Sequence, residues 1–100
     1  MIVTVEEAAA DLKAGKMLIV VDDQNRENEG DLVMPATNIT PEQVNFIVTK
    51  ARGLLCVALE RERAERLFLT PMTADNTALH RTNFTITVDA RQGATTGIST

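Results

Sequence analysis

The stretch that decides the fold runs from residue 17 to residue 34 and reads Met17-Leu18-Ile19-Val20-Val21-Asp22-Asp23-Gln24-Asn25-Arg26-Glu27-Asn28-Glu29-Gly30-Asp31-Leu32-Val33-Met34. Its first five residues are continuously apolar and rich in β-branched side chains, the pattern of a strand covered on both faces. Ten residues without an apolar side chain follow, and the apolar strand pattern resumes at Leu32. The expectation is two strands joined by a polar loop over residues 22–31.

Outward from this pair, Thr4 and Glu7 have capping-box spacing, and Val5, Ala8, Ala9 and Leu12 recur at helical intervals before Gly15, which can adopt the left-handed conformation that stops a helix. Downstream, Thr40, Pro41 and Gln43 open a second helix with apolar positions Val44, Ile47, Val48 and Ala51, and Gly53 is expected to end it. The apolar run Leu54-Leu55-Cys56-Val57-Ala58 reads as a second central strand, residues 60–67 as a short charged helix and residues 70–81 as an irregular connection. Phe84, Ile86 and Val88 alternate with Thr85, Thr87 and Asp89 as a half-buried strand. The order helix, strand, strand, helix, strand, helix, strand predicts an α/β (α+β) fold, a mixed sheet flanked by helices. With no internal repeat, low-complexity tract or linker, residues 1–100 read as a single domain.

Composition narrows the function classes. The chain has 100 residues, 44% of them hydrophobic, with three Phe and neither Trp nor Tyr, so its core must come from aliphatic residues, and aromatic stacking on bases is unavailable. A net charge of −4 and a pI near 4.9, with no Lys/Arg run, exclude the basic surface that attracts nucleic acid or an anionic membrane. One cysteine permits no internal disulfide, and the N-terminal residues lack the basic and apolar regions of a secretory signal, so a cytoplasmic location is expected.

The polar loop holds five carboxylates and one guanidinium, and like charges crowded at a strand end cost stability unless a cation or a reaction uses them. Arg26 suits bidentate recognition of phosphate or carboxylate, Glu27 and Glu29 offer hard oxygen ligands or a general base, and Gly30 permits close backbone approach. A plain solvated hairpin loop is the competing reading. A helix-loop-helix calcium site fails on spacing: starting at Asn25 places Gly30 sixth but Ala36 twelfth, and starting at Asp22 or Asp23 places no glycine sixth. Cys56 alone reads as a buried core thiol, His80 as a surface residue outside any site, and residues 95–99 as a turn or a contact for phosphate or substrate.

The run from Val21 to Leu32 resembles the signature loop of the 3,4-dihydroxy-2-butanone-4-phosphate (DHBP) synthases. Residues 52–57, Asn76-Thr77, residues 84–90 and residues 95–99 resemble that family's later segments in order, with residues 1–16 the least diagnostic. The resemblance implies a lyase of riboflavin biosynthesis that converts D-ribulose 5-phosphate to L-3,4-dihydroxy-2-butanone 4-phosphate and formate, with Mg2+ or Mn2+ as cofactor and a homodimer as assembly. It further implies Glu27 as metal ligand. Asp22, Arg26, Glu27, Asp31 and Thr96 are then the substrate contacts, and Glu27, Glu29, Asp31 and Cys56 the catalytic set, with Cys56 a pocket wall. Which carboxylate is the general base stays open.

The resemblance also implies a protein about twice as long, whose later half carries a Gly-His-Thr type segment with the second metal ligand and phosphate contacts. The 100 residues are therefore expected to be the N-terminal half of such a protein, inactive in isolation. The alternative reading is a non-catalytic metal- or sugar-phosphate-binding fragment of such an enzyme. Whether the parent is fused to GTP cyclohydrolase II is not legible.

Overall fold

The computed structural model describes residues 1–97. They fall into two compact units, one of Met1–Cys56 and one that begins at Val57.

In the first unit, helix α1 (Val5–Lys13) begins where the capping box predicts. The Glu7 N–H donates to Thr4 Oγ1 at 3.2 Å, and Glu7 Oε2 accepts from the Thr4 N–H at 2.9 Å, so two of the helix's unpaired donors are satisfied. It ends in a Schellman motif: Gly15, at φ +79, donates to the Leu12 carbonyl, and the Lys16 N–H reaches back to that of Asp11. Ala8, Asp11 and Leu12 are half-buried on the side that meets β1, whereas Val5 is exposed.

Strands β1 (Leu18–Val21) and β2 (Gly30–Val33) form a two-stranded antiparallel sheet in the register Leu18↔Val33, Ile19↔Leu32, Val20↔Asp31, Val21↔Gly30. Leu18, Val20, Asp31 and Val33 thus share one face, and Ile19, Val21, Gly30 and Leu32 the other. Helix α2 (Pro41–Lys50) repeats the N-terminal device of α1, with Thr40 and Gln43 exchanging side-chain and backbone bonds at 3.3 and 2.9 Å. Its stripe Val44, Ile47 and Val48 is half-buried. The helix stops at Ala51, and Arg52, not Gly53, takes the left-handed conformation at φ 56. The first residue past the cap must turn, and the helix ends one residue sooner than Gly53 implies.

In the second unit, helix α3 (Arg61–Arg66) matches the charged helix read from sequence. It closes with Phe68 left-handed at φ 57 and Leu69 donating to the Ala64 carbonyl. A single antiparallel bridge joins Pro71 to Thr85, supported by bonds from Met72 to Phe84 and from Ile86 to Thr70. Asn76 ties the loop between them, its amide donating to the Thr82 carbonyl and its oxygen accepting from the Ala78 N–H.

Two strand expectations are not met. The run over residues 54–58 forms no strand, and the alternating segment over residues 84–88 contributes only the bridge at Thr85. The expected burial of β1 on both faces is also absent: Ile19 is 71% and Val21 60% exposed. The reason is common to all three. No side chain among the described residues is fully buried, and the surface of 9171 Å² exceeds the roughly 5600 Å² that a folded monomer of 10.9 kDa leaves exposed. Apolar runs of this kind become central strands only against neighbouring strands and covering layers. The sheet of the described residues is therefore antiparallel and two-stranded, within an α+β arrangement of helices and sheet. Among the described residues, no helix is long and apolar enough to cross a membrane.

Candidate functional site

The turn between β1 and β2 is organised around Asp22. Its Oδ1 accepts the Glu29 N–H at 2.8 Å, and its Oδ2 accepts both the Glu27 N–H at 2.8 Å and Arg26 Nη1 at 3.0 Å. The Asp22 N–H in turn points to the Glu29 carbonyl at 3.4 Å, which carries the ladder one step beyond β1. These donors hold the Asp22 carboxyl below its ordinary value of 3.8, the Glu29 amide contributing most, then the Glu27 amide, against a smaller opposing effect of desolvation and with Arg26 adding to the lowering.

Two further residues shape the loop, and neither stands out in the sequence reading. Asp23 accepts the Asn25 N–H on its side chain at 2.7 Å and the Arg26 N–H on its carbonyl at 2.9 Å, a local turn that lifts Arg26 outward. Asn28 is left-handed at φ 52, a conformation that asparagine tolerates better than most residues. The available signal was compositional: Asp and Asn favour such turns, but here both are hidden among polar neighbours.

The result is a loop with its backbone pinned and most of its candidate side chains exposed. Arg26 is 57% exposed, with Nη2 3.5 Å from Glu27 Oε1, and Glu27 is 29% exposed. Glu29 and Asp31 are exposed, and no hydrogen bond reaches either carboxylate among the described residues. Asp31 also borders an open groove of about 400 Å³, together with Ile19, Gly30 and Leu32 of the sheet and Phe46 and Lys50 of α2. Asp22, Arg26, Glu27, Glu29 and Asp31 thus all lie in one loop or at the start of β2, and side-chain contacts link Asp22 with Arg26 and Arg26 with Glu27.

Cys56 is exposed, which corrects its reading as a buried core thiol: the strand that would enclose it is not formed. Thr96 lies in the second unit, in a bend beside Gly97 at φ 77, and His80 is exposed in the same unit. Of the turn expected over residues 95–99, residues 98 and 99 lie outside the described residues.

For a divalent cation the chain offers hard carboxylate oxygens, and magnesium needs only one or two of them beside water and substrate oxygens. Glu27 fits such a single-carboxylate role: it is partly exposed and its backbone is fixed. Among the described residues, no group of three His, Cys, Asp or Glu side chains converges closely enough to hold a metal by itself.

Residues 6–100 match the family described as 3,4-dihydroxy-2-butanone 4-phosphate synthase. The chain belongs to the DHBP synthase family. It is 54% identical over 97 residues to the riboflavin biosynthesis protein RibBA of Chlorobium phaeovibrioides, covering 96% of this chain and 24% of that protein. It is 55% identical to a 3,4-dihydroxy-2-butanone 4-phosphate synthase of Campylobacter jejuni, covering 97% of this chain and 28% of the relative. Among solved structures, a DHBP synthase in complex with two magnesium ions superposes with a TM-score of 0.91 at 37% identity, over 98% of this chain and 46% of that one. A two-domain DHBP synthase, RibBX of A. baumannii, gives 0.82 at 54% identity over 97% of this chain and 28% of that one. The chain therefore spans about a quarter of the length of the curated relatives it matches. The family membership expected from the signature loop and the α+β fold class expected from the order of helices and strands are both borne out.

Proposed function

We propose that these residues supply the acidic-loop half of the site of a DHBP synthase, a lyase that converts D-ribulose 5-phosphate to L-3,4-dihydroxy-2-butanone 4-phosphate and formate. The observation that carries this reading is the Asp22-centred loop, which fixes its own backbone while leaving the Arg26 guanidinium and the Glu29 and Asp31 carboxylates exposed and Glu27 partly so. An anionic polyhydroxy substrate requires that combination: Arg26 to grip oxygens through its planar fork, and carboxylates to take and return protons.

The conversion begins with loss of a proton beside the ketone, which places negative charge on vicinal oxygens. A hydroxyl leaves as water, a carbon shift follows, and water re-enters at the step that releases formate, so the atoms balance without an oxidant. Arg26 orients the substrate oxygens. Glu27, Glu29 and Asp31 are the candidates to hold and move its protons, with Cys56 as a further candidate and Asp22 at the base of the loop. Magnesium or manganese, when bound through Glu27, supplies positive charge to the enediolate oxygens. A solved relative in complex with two magnesium ions supports, by likeness, a divalent cation as cofactor.

The reading extends to the assembly. The residues form part of one synthase domain that is completed by later segments and works as a cytoplasmic homodimer. By themselves they do not turn over, because magnesium held by one carboxylate is weakly bound without a second protein ligand. The second reading, a non-catalytic metal- or sugar-phosphate-binding role for residues 1–100 by themselves, is supported by their spanning only about a quarter of the relatives' length. Formate release from ribulose 5-phosphate and magnesium tests both statements: a family-length protein carrying this sequence is active and residues 1–100 alone are not. No formate from the longer protein overturns the proposed function, and comparable release from residues 1–100 overturns the need for further segments.

A further inference from the structure

From the bonding of the loop we infer that Asp22 is a positioning residue, which sets Arg26 and Glu27 in place without touching the substrate. The inference rests on the reading above for its catalytic consequence, but not for its structural content.

Both carboxylate oxygens of Asp22 are already engaged. Oδ1 accepts one backbone amide, and Oδ2 accepts a second amide and a guanidinium N–H. Its side chain is only 19% exposed, against 57% for Arg26 and 29% for Glu27, so it lies beneath the residues it bonds. A carboxylate that accepts three donors at 2.8–3.0 Å has little acceptor capacity left for a sugar hydroxyl, and its charge repels a phosphate. What it does is close the chain. Residue 22 is tied to residues 27 and 29, so the peptide carrying the Glu27 side chain cannot rotate without breaking a charge-assisted bond. The Arg26 guanidinium is held from the same point. Catalytic geometry depends on that kind of restraint, since small displacements of a reacting group cost large factors in rate.

Aspartate is the residue the arrangement needs. Asparagine has one acceptor oxygen, and its NH2 would face the Glu27 amide and the Arg26 guanidinium or the Glu29 amide, donor against donor. Glutamate keeps the charge but carries its oxygens one methylene further from the backbone. A purely electrostatic role tolerates glutamate; a positioning role does not.

The test uses a family-length protein carrying this sequence, with Asp22→Asn and Asp22→Glu variants, and follows amide hydrogen exchange in the absence of metal and substrate. Exchange at the Glu27 and Glu29 amides is expected to accelerate about tenfold or more in both variants, the loss of roughly one hydrogen bond's net contribution. The Glu7 and Gln43 amides, which donate to the caps of α1 and α2, are expected to keep their rates and so certify the fold. In the same variants kcat for formate release is expected to fall by about tenfold or more. Lost activity with unchanged exchange at Glu27 and Glu29 would place Asp22 on the substrate and overturn the inference. So would loosened amides with undiminished kcat, or full activity in Asp22→Glu. An inactive parent would defeat the proposed function alone, because the exchange comparison reads the clasp without turnover.

Discussion

The loop over residues 22–31 and the run over residues 54–58 invert the usual expectation of which segment is structured. The first has no apolar side chain, yet a network centred on Asp22 and Asp23 orders it. The second is apolar throughout, yet it forms no strand and is exposed along its length, Leu54 at 72% and Val57 at 60%. Polar groups can be satisfied within a few residues of chain, because a carboxylate needs only the amides that a tight turn brings to it. An apolar run has no such local solution. Its contribution comes from area removed from water, and removal takes a neighbouring strand and a covering layer.

The largest test of the organised side is Glu27→Gln in a family-length protein. Charge is lost and shape kept, so turnover under limiting magnesium is expected to drop by about a hundredfold, or roughly 2.7 kcal/mol in the barrier. Parental rates of formate release would remove Glu27 from the metal. Arg26→Lys comes next, with an expected loss in kcat/KM of about tenfold or more, near 1.4 kcal/mol, since an ammonium cannot both meet Asp22 Oδ2 and present a planar fork. Equal efficiency in the lysine variant would make Arg26 a solvent-facing residue.

The contrast between satisfied polar and unsatisfied apolar segments is sharpened by a paired stability measurement on residues 1–100. Thr40→Ala removes a cap that is already formed and is expected to cost about 1 kcal/mol, whereas Leu54→Ala is expected to stay within about 0.5 kcal/mol because there is no burial to lose. Urea denaturation checks both, and a larger cost for Leu54 would show that the run is covered after all.

The smallest effect concerns protonation of the clasp. The carboxyl of Asp22 titrates below 3.8, so the folded loop binds its proton less readily than the unfolded chain does. Its stabilising contribution is therefore fully present above that value and is lost as pH falls through the lower folded midpoint. Carbon-detected NMR titration is expected to find that midpoint below 3.8 and, in Arg26→Ala, only slightly higher, because the two backbone amides outweigh the guanidinium. A large rise in that variant would make the ion pair, not the amides, the main restraint.

Much of the fold was legible because its signals are local. The capping boxes at Thr4 and Thr40, the Gly15 stop, the charged helix α3 and the two strands on either side of the polar loop each involve residues close in sequence. The misreadings all required distant partners: the enclosure of β1, the strand around Cys56, and the alternating strand over residues 84–88. The stop at Arg52 in place of Gly53 is a lesser case, in which a one-residue shift of the helix end outweighed glycine's preference for the left-handed conformation. In the candidate site, residue types and their grouping were readable at once, but the division of labour among five acidic residues was not. Asp22, Asp23, Glu27, Glu29 and Asp31 are chemically alike, and only hydrogen-bond geometry separates those that hold the backbone from those that face outward.

By itself the sequence determined the family, the two capped helices, the two strands flanking the polar loop, and the grouping of five carboxylates and a guanidinium in that loop. Each is encoded by neighbours within about ten residues, where chain entropy charges little for contact. Tertiary structure alone decided that Asp22 lies beneath Arg26 and Glu27 as their clasp, and that the apolar runs remain exposed in these residues. The first depends on where three donors converge in space. The second depends on surfaces beyond the reach of a local contact, because hydrophobic burial is set by what comes to lie against a segment and not by the segment itself.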